Sequence, residues 1–266
     1  MILQRRIALN GIWMDELDNR IVISGIEPGE GRENITATDA ASGFGQRITG
    51  QRRSTLDIAV RFRIYEHGRN EAGMTERALL LEKINTWARP GGILTVNYKP
   101  GRRLNVVLAQ APGEGSLWDY TKEFAITFRA YAVPYWEDEE ASTAEAGGST
   151  ATGSGDFLIE GSADTQADVI LQNTSGAQNK GCTVTVGGKT MNFSGITLGA
   201  DEALIIDHVD GLVRIRIKNG DEYRSAMAIR DANSANDFLV PPGAYSISYT
   251  AQRACRMTIG WRNRYL

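Results

Sequence analysis

Cysteine and histidine are almost missing from this 266-residue chain, at two of each. Cys182 and Cys255 are too few for a disulfide scaffold, and their separation in sequence is far from the close spacing of a zinc site. Both fall on strand-like alternations, which predicts buried free thiols. His67 sits in the turn-like Tyr65-Glu66-His67-Gly68-Arg69 and His208 in Asp207-His208-Val209-Asp210, with no second His or Cys near either. The expectation for His208 is a solvated turn residue, not a metal ligand. Long apolar runs are also lacking: none approaches the roughly 18 residues of a membrane span, and Met1-Ile2-Leu3-Gln4-Arg5-Arg6 is not followed by an apolar signal-peptide core. The chain is expected to be soluble, made in the cytoplasm and without membrane insertion. The sequons at Asn34, Asn173 and Asn192 would matter only in a secretory pathway.

Catalytic and cofactor motifs are missing as well. There is no G-x-S-x-G elbow, and Gly153-Ser154-Gly155 lies in a small-residue stretch, not at a strand-to-helix turn. Gly43-Phe44-Gly45 and Gly113-Glu114-Gly115 lack the third glycine and following helix of a dinucleotide site, and no P-loop occurs. Asp201-Glu202 and Asp221-Glu222 sit beside turns, where carboxylates are ordinary. No catalytic residue, cofactor or metal is predicted, and the protein is not expected to be an enzyme. A net charge of -3 gives no basic field for sequence-specific nucleic-acid binding. The cations that are present lean one way, 23 Arg to 6 Lys. Arginine is favoured where a planar fork must pair across an interface.

With 42% hydrophobic and 23% charged residues, the chain has material for two modest cores. After Val133-Pro134-Tyr135-Trp136 come four acidic residues, Glu137 to Glu140, and then small residues and glycine from Ala141 to Gly155. Such a stretch buries little surface against its ordering entropy, so residues 138–155 are expected to be a linker or loop. It separates expected domains at 1–137 and 156–266.

The first domain reads as antiparallel β. Leu56, Ile58, Val60, Phe62 and Ile64 alternate with Asp57, Ala59, Arg61 and Arg63, the period of a half-buried strand. Phe124, Ile126, Phe128 and Ala130 repeat the pattern, while 93–98 and 104–108 flank the turn Lys99-Pro100-Gly101-Arg102-Arg103. One helix is expected over 75–88, with Thr75 as N-cap, Leu80, Ile84 and Trp87 on one face and Pro90-Gly91-Gly92 as its stop. The segment 25–53, rich in glycine and mixed charge, is too long for an ordinary structureless loop. It is expected to be an extended arm or hairpin that orders against another subunit.

The second domain shows strand signals at 167–172, 182–186, 203–207, 212–217, 245–249 and 256–261, with hairpin turns at Gly187-Gly188 and Asn219-Gly220. Their even spacing predicts an antiparallel β-sandwich. The fold class is therefore mainly β, with one helix in the first half. Arg47, Arg52, Arg53, Arg61, Arg63, Arg102 and Arg103 are candidate subunit-interface residues. Trp261 and Tyr265 are the candidates for stacking on a sugar, although Trp261 continues the core-facing alternation of Cys255, Met257 and Ile259.

The order of these features resembles one known family. A β-rich domain with one helix ending in Trp87, a basic hairpin and a closing Phe124-Ala125-Ile126-Thr127-Phe128-Arg129-Ala130 is followed by a β-sandwich ending Gly260-Trp261-Arg262-Asn263-Arg264-Tyr265-Leu266. That arrangement looks like the distal tail proteins of long-tailed, non-contractile bacteriophages. The resemblance implies a hexameric ring of N-terminal domains at the tail tip, DNA passing through it, and galectin-like C-terminal domains. Implied partners are the tail tube protein, a tail-associated lysin or baseplate protein, and in some phages a receptor-binding protein or host glycan. It also implies that segment 25–53 embraces a neighbouring subunit. Two other readings stand beside it: a carbohydrate-binding module for host-surface glycan, and a glycoside hydrolase acting on the cell envelope.

Overall fold

Period-2 alternation makes the even positions from Leu56 to Ile64 one face of a strand, and in the computed structural model all five of these side chains are buried. The structure describes residues 5–29, 32–39, 46–65, 70–113, 123–209 and 211–266. The chain forms two units, Met1–Trp136 and Glu137–Leu266. It is mostly β, with 61% of residues in strands and 11% helical. No described helix is long and apolar enough to cross a membrane.

The first unit contains β1 (Ile7–Leu9), β2 (Ile12–Trp13), α1 (Met14–Leu17), β3 (Ile21–Pro28), β4 (Arg32–Asp39), β5 (Gln46–Ile64), α2 (Glu71–Ala88), β6 (Gly92–Val96), β7 (Arg102–Gln110) and β8 (Phe124–Ala130). The short β9 (Trp136–Asp138) carries the chain out of it. Seven strands lie in the order β2-β1-β6-β7-β8-β5-β3. Leu56 faces Ala130, Ile58 faces Phe128 and Phe62 faces Phe124, so the two alternating runs read from the sequence are neighbours with their apolar faces on one side. Phe62 and Phe124 stack with centroids 5.7 Å apart, and Trp87 of α2 meets Phe128 edge-on at 5.9 Å. Aromatic pairs in these geometries add to the burial term.

Helix α2 is longer than the periodicity predicts. It begins at Glu71, and its N-cap is Asn70, whose side chain accepts the Gly73 N–H at 3.0 Å. Thr75, expected as the cap, lies inside the helix and its hydroxyl donates to the Glu71 carbonyl. Asparagine is among the best N-caps, and the early Gly73 hid the true start. The stop is where expected: Gly91 has φ +65°, and a Cβ there would lie 2.5 Å from the Val106 carbonyl. Asn10 secures this turn, donating to the Gly91 carbonyl and accepting the Ile93 N–H, both at 2.9 Å.

The second unit contains β10 (Ser142–Ile159), β11 (Thr165–Asn173), β12 (Asn179–Val186), β13 (Lys189–Leu198), β14 (Ala203–Val209), β15 (Leu212–Asn219), β16 (Glu222–Ser225), β17 (Leu239–Val240), β18 (Gly243–Trp261) and β19 (Arg264–Tyr265). Three expectations need correction. The two runs 245–249 and 256–261 are halves of one 19-residue strand, β18. Its first half pairs with β12 and its second with β11, so one strand turns from one set of neighbours to another at an irregularity near Ala251 to Cys255.

The second correction concerns residues 138–155. They are not a linker: β10 runs through them and pairs with β18 from Ser142 opposite Trp261 to Ile159 opposite Gly243. Its glycines serve close approach, not flexibility. Gly147 has φ +72° at the bulge, and a Cβ on it would lie 2.0 Å from the Tyr249 hydroxyl. A Cβ on Gly153 would lie 2.5 Å from Tyr249 Cε1, and one on Gly155 2.6 Å from the Glu145 carbonyl. The Tyr249 ring fills the space these residues leave, and its hydroxyl donates to the carbonyls of Thr150 and Cys255.

The third is His208, which lies on β14 and not in a solvated turn. Its side chain is only 4% exposed, with Nδ1 2.9 Å from Asp168 Oδ1. The core of this unit gathers Val169, Leu171, Val184, Phe193, Ile206, Ile215, Ile247 and Met257, all fully buried. The hairpin read at Asn219-Gly220 joins β15 to β16, but its turn sits one residue later: Asn219 still pairs with Glu222, and Gly220, at φ +56°, and Asp221 make the turn.

Candidate assembly surface

The polar face of the first unit's sheet is a lattice of paired charges. Asp57 and Arg129 lie opposite each other on β5 and β8, and Arg129 grips both carboxylate oxygens, with Nη2 to Oδ2 at 2.6 Å. Donating to the Asp57 carboxylate holds the Arg129 guanidinium in its charged form more firmly than usual. Arg61 donates to Glu27 of β3 at 3.0 Å and lies 3.9 Å from Glu123, while Arg63 lies 3.8 Å from the same Glu123. Ser24 also donates to Glu123. Solvent screens pairs as open as those of Arg61 and Arg63, so their effect here is to balance charge across an open sheet face.

Arg61 and Arg63, read from sequence as interface candidates, therefore share one face, each about half exposed. Arg102 and Arg103 open β7, at its hairpin with β6, and are half-buried. They do not join the Arg61 cluster, because β8 lies between β7 and β5 in the sheet. Arg47, Arg52 and Arg53 are on the part of β5 whose side chains lie outside the described ones. Residues 40–45 also lie outside the described residues.

The backbone of segment 25–53 is strand for most of its described length. β4 runs antiparallel to the first half of β5, from Arg32 opposite Thr55 to Asp39 opposite Gln46. Among the described residues β4 pairs with β5 alone, whereas the second half of β5 is held between β3 and β8. A two-stranded ribbon thus continues beyond the sheet, and it leaves Ile35 57% exposed. Isolated two-stranded hairpins are marginal in water and gain stability by packing on something else.

A second apolar feature lies beside α2. Ile12, Leu17, Leu79 and Trp87 line an open groove of about 480 Å³, with Glu82, Lys83 and Thr86 at its sides. Leu79 is 59% and Ile12 52% exposed. The groove is held in shape by two hydrogen bonds, Trp87 Nε1 to the Ile12 carbonyl at 3.2 Å and Lys83 Nζ to the Leu17 carbonyl. Sequence reasoning missed it because Leu79 falls off the Leu80, Ile84, Trp87 stripe and its neighbours Ile12 and Leu17 come from distant positions. It missed Glu27, Asp57, Glu123 and Arg129 as a lattice for the same reason: alternation places them on the outer face, but only strand order makes them partners.

In the second unit Trp261 is 6% exposed and meets the Phe157 ring at 5.3 Å. Its faces are taken up by the core, which removes it as a platform for a sugar. Tyr265 is half-buried on β19. A polar groove of about 370 Å³ is lined by residues including Thr183, Asn192, Ser194, Asp231 and Thr250. Among the described residues no three His, Cys, Asp or Glu side chains gather as a metal site. Cys182 and Cys255 are free and buried, as the alternations implied. Burial pushes the Cys182 thiol up to about 12 and raises that of Cys255.

No protein-family model matches the chain, and no curated protein matches it. Among solved structures it is similar to the SPP1 Dit protein, described as a paradigm of the hub adsorption apparatus in phages infecting Gram-positive bacteria. That likeness has a TM-score of 0.66 at 13% identity and covers 98% of this chain and 99% of that one. Chains of the phage P2 baseplate in its activated conformation, with calcium and with strontium, match at a TM-score of 0.45 and 10% identity; coverage is 99% of this chain and 98% of that chain for calcium, 98% and 97% for strontium. From end to end, both units included, this chain has the fold of the SPP1 Dit hub protein.

Proposed function

We propose that this protein is a structural subunit of a bacteriophage tail tip, a distal tail protein whose copies close into a ring joining the tail tube to the host-recognition apparatus. The observation that carries this is the fold likeness over the whole of both chains. The function is one of assembly, not catalysis, and the place of action is the virion. Partners would be further copies of this chain, the tail tube protein on one side and a baseplate or lysin protein on the other, with DNA passing through the ring.

The first unit has features suited to such a ring. A ring of one repeated subunit needs a head-to-tail contact that closes by rotation, and the unit carries two unlike exposed elements, a ribbon and a groove. Its charge-balanced sheet face would present little net positive potential to passing DNA, and a strongly basic lumen would bind phosphates and hinder transit. The test is the solution mass by light scattering, with negative-stain imaging. A mass about six times 29.1 kDa with ring-shaped particles supports the reading. A monomer both alone and after mixing with the cognate tube protein refutes it.

A further inference from the structure

We propose that residues 230–238 are a guard on the outer edge of β13, keeping that strand from pairing with the β13 of a second copy. This does not rest on the ring reading. Among the described residues β13 pairs on one side only, with β12, and it stands at one end of its sheet. A strand in that place presents a row of backbone N–H and C=O groups, a template for another chain. β13 is ten residues long and sends Met191, Phe193, Ile196 and Leu198 into the core, which fixes the row in place. β16, at the other end of the strand order, has four residues, all exposed and two of them charged, and makes a poor template. From Thr190 to Ser194 the edge of β13 carries no charge to repel its own copy. Two antiparallel copies would exchange the same groups about a two-fold axis, so the strand is complementary to itself.

The guard takes the outward groups of β13 one after another. The Ala235 N–H donates to the Thr190 carbonyl at 2.8 Å and the Asp231 N–H to the Asn192 carbonyl at 2.9 Å. The Asn192 N–H donates to Ser234 Oγ at 2.8 Å. The Ser194 N–H meets the Asp231 carboxylate at 3.3 Å, and the Ser194 hydroxyl donates to it at 2.8 Å. Lys189 Nζ closes the row on Asp237 at 2.7 Å. Residues 231 to 237 thus lie along 194 to 189, antiparallel to the strand they cover, yet they are turns and bends. A further chain finds no regular ladder to extend on the far side of such a cover, as it would on one more strand. Both ends of the guard are tied down: the Ala226 N–H donates to the Ile215 carbonyl at 2.8 Å, and β17 pairs with β11. Within 230–238 only Phe238 is buried. The stretch is therefore held on β13 by polar contacts that water can replace, the kind of segment that opens locally.

The test is the full chain with Asp231→Ala and Ser234→Ala together, and with Ser234→Ala alone as the milder change. In dilute solution, hydrogen exchange at the Asn192 and Ser194 amides should speed up by roughly tenfold, the effect of losing one or two ordinary hydrogen bonds. As concentration rises, light scattering should show the double variant associating beyond the mass of the wild type, and the same two amides should regain protection as it does. Faster exchange with no added association overturns the proposal, and so does unchanged exchange. Association that leaves the two amides exchanging runs through another surface, and the edge assignment is then wrong. If both variants lose their cooperative melt, the segment is part of what holds the unit folded, not a guard upon it. Each outcome is scored against the wild-type mass, so the ring reading stands or falls separately.

Discussion

Replacing Gly153 by alanine separates two descriptions of the segment 138–155 by the sign of one number. In a flexible linker, Gly→Ala reduces the freedom of the unfolded chain and stabilises by about 0.4–1 kcal/mol, or does nothing if the linker is already unfolded-like. In the structure Gly153 lies opposite Tyr249 in the β10–β18 ladder. An added Cβ would come within 2.5 Å of Tyr249 Cε1 and 2.7 Å of the Gly147 backbone nitrogen. Neither neighbour can yield cheaply: one is backbone at a bulge, and the other is a core ring tied at its hydroxyl to Thr150 and Cys255. Overpacking of this kind costs about 1–3 kcal/mol, which for a unit of this size is a fall in Tm of roughly 2–8 °C per kcal/mol. Urea and thermal unfolding followed by circular dichroism would read it, with Ser154→Ala, exposed on the same strand, as a control expected within about 0.5 kcal/mol of wild type. Limited proteolysis gives a second readout, since a ladder-bound β10 should resist cutting between Glu140 and Gly155. A neutral or stabilising Gly153→Ala, or rapid cleavage in that stretch of the native protein, would refute the strand assignment.

Other outcomes follow from the same reasoning. Asp18 is gripped by Arg20, and its carboxyl is lowered from the ordinary 3.8 to about 2 by the Arg20 hydrogen bonds. Its contribution is fully present above the unfolded value near 3.8 and is lost as pH falls through about 2. Asp18→Asn should therefore destabilise the protein at neutral pH and flatten that part of the acid-unfolding curve; an unchanged curve would count against the pairing. Cys182 and Cys255 should resist maleimide at pH 8 in the folded protein and react fully in denaturant, because burial holds both thiols protonated; labelling of the native protein at exposed-thiol rates would contradict their burial. Trp261→Ala should cost about 3–5 kcal/mol by leaving a cavity against Phe157, a loss visible in melting. A well-folded Trp261→Ala with altered glycan binding and no stability change would instead revive the sugar-platform reading.

Local rules decide much of this chain. The runs at 56–64 and 124–130 become strands with the expected faces inward because their period leaves no other way to bury five or four apolar side chains at once. The hairpin near Asn219-Gly220 forms where the pattern puts it because Gly220 takes the left-handed backbone geometry, φ +56°, that a tight turn needs. Gly91 ends α2 because no side chain fits beside the Val106 carbonyl. Each of these is settled within a few residues, so the mainly β fold class, the single main helix and the burial of both cysteines are legible in the order of the amino acids alone.

What tertiary structure alone decided are the features whose cause lies far away in sequence. Residues 142–155 carry the composition of a linker, and they are a strand because β18, a hundred residues later, supplies the ladder and Tyr249 supplies the ring that only glycine accommodates. The His208 side chain is 4% exposed on β14 and meets Asp168, which strand pairing brings over from β11. The Arg61, Glu27 and Glu123 lattice and the groove of Ile12, Leu17, Leu79 and Trp87 are each assembled from separate segments by strand order and helix placement. A one-dimensional pattern reports which face of an element is apolar; it carries no information on which distant element comes to lie against it, and that is where the surfaces proposed for assembly arise.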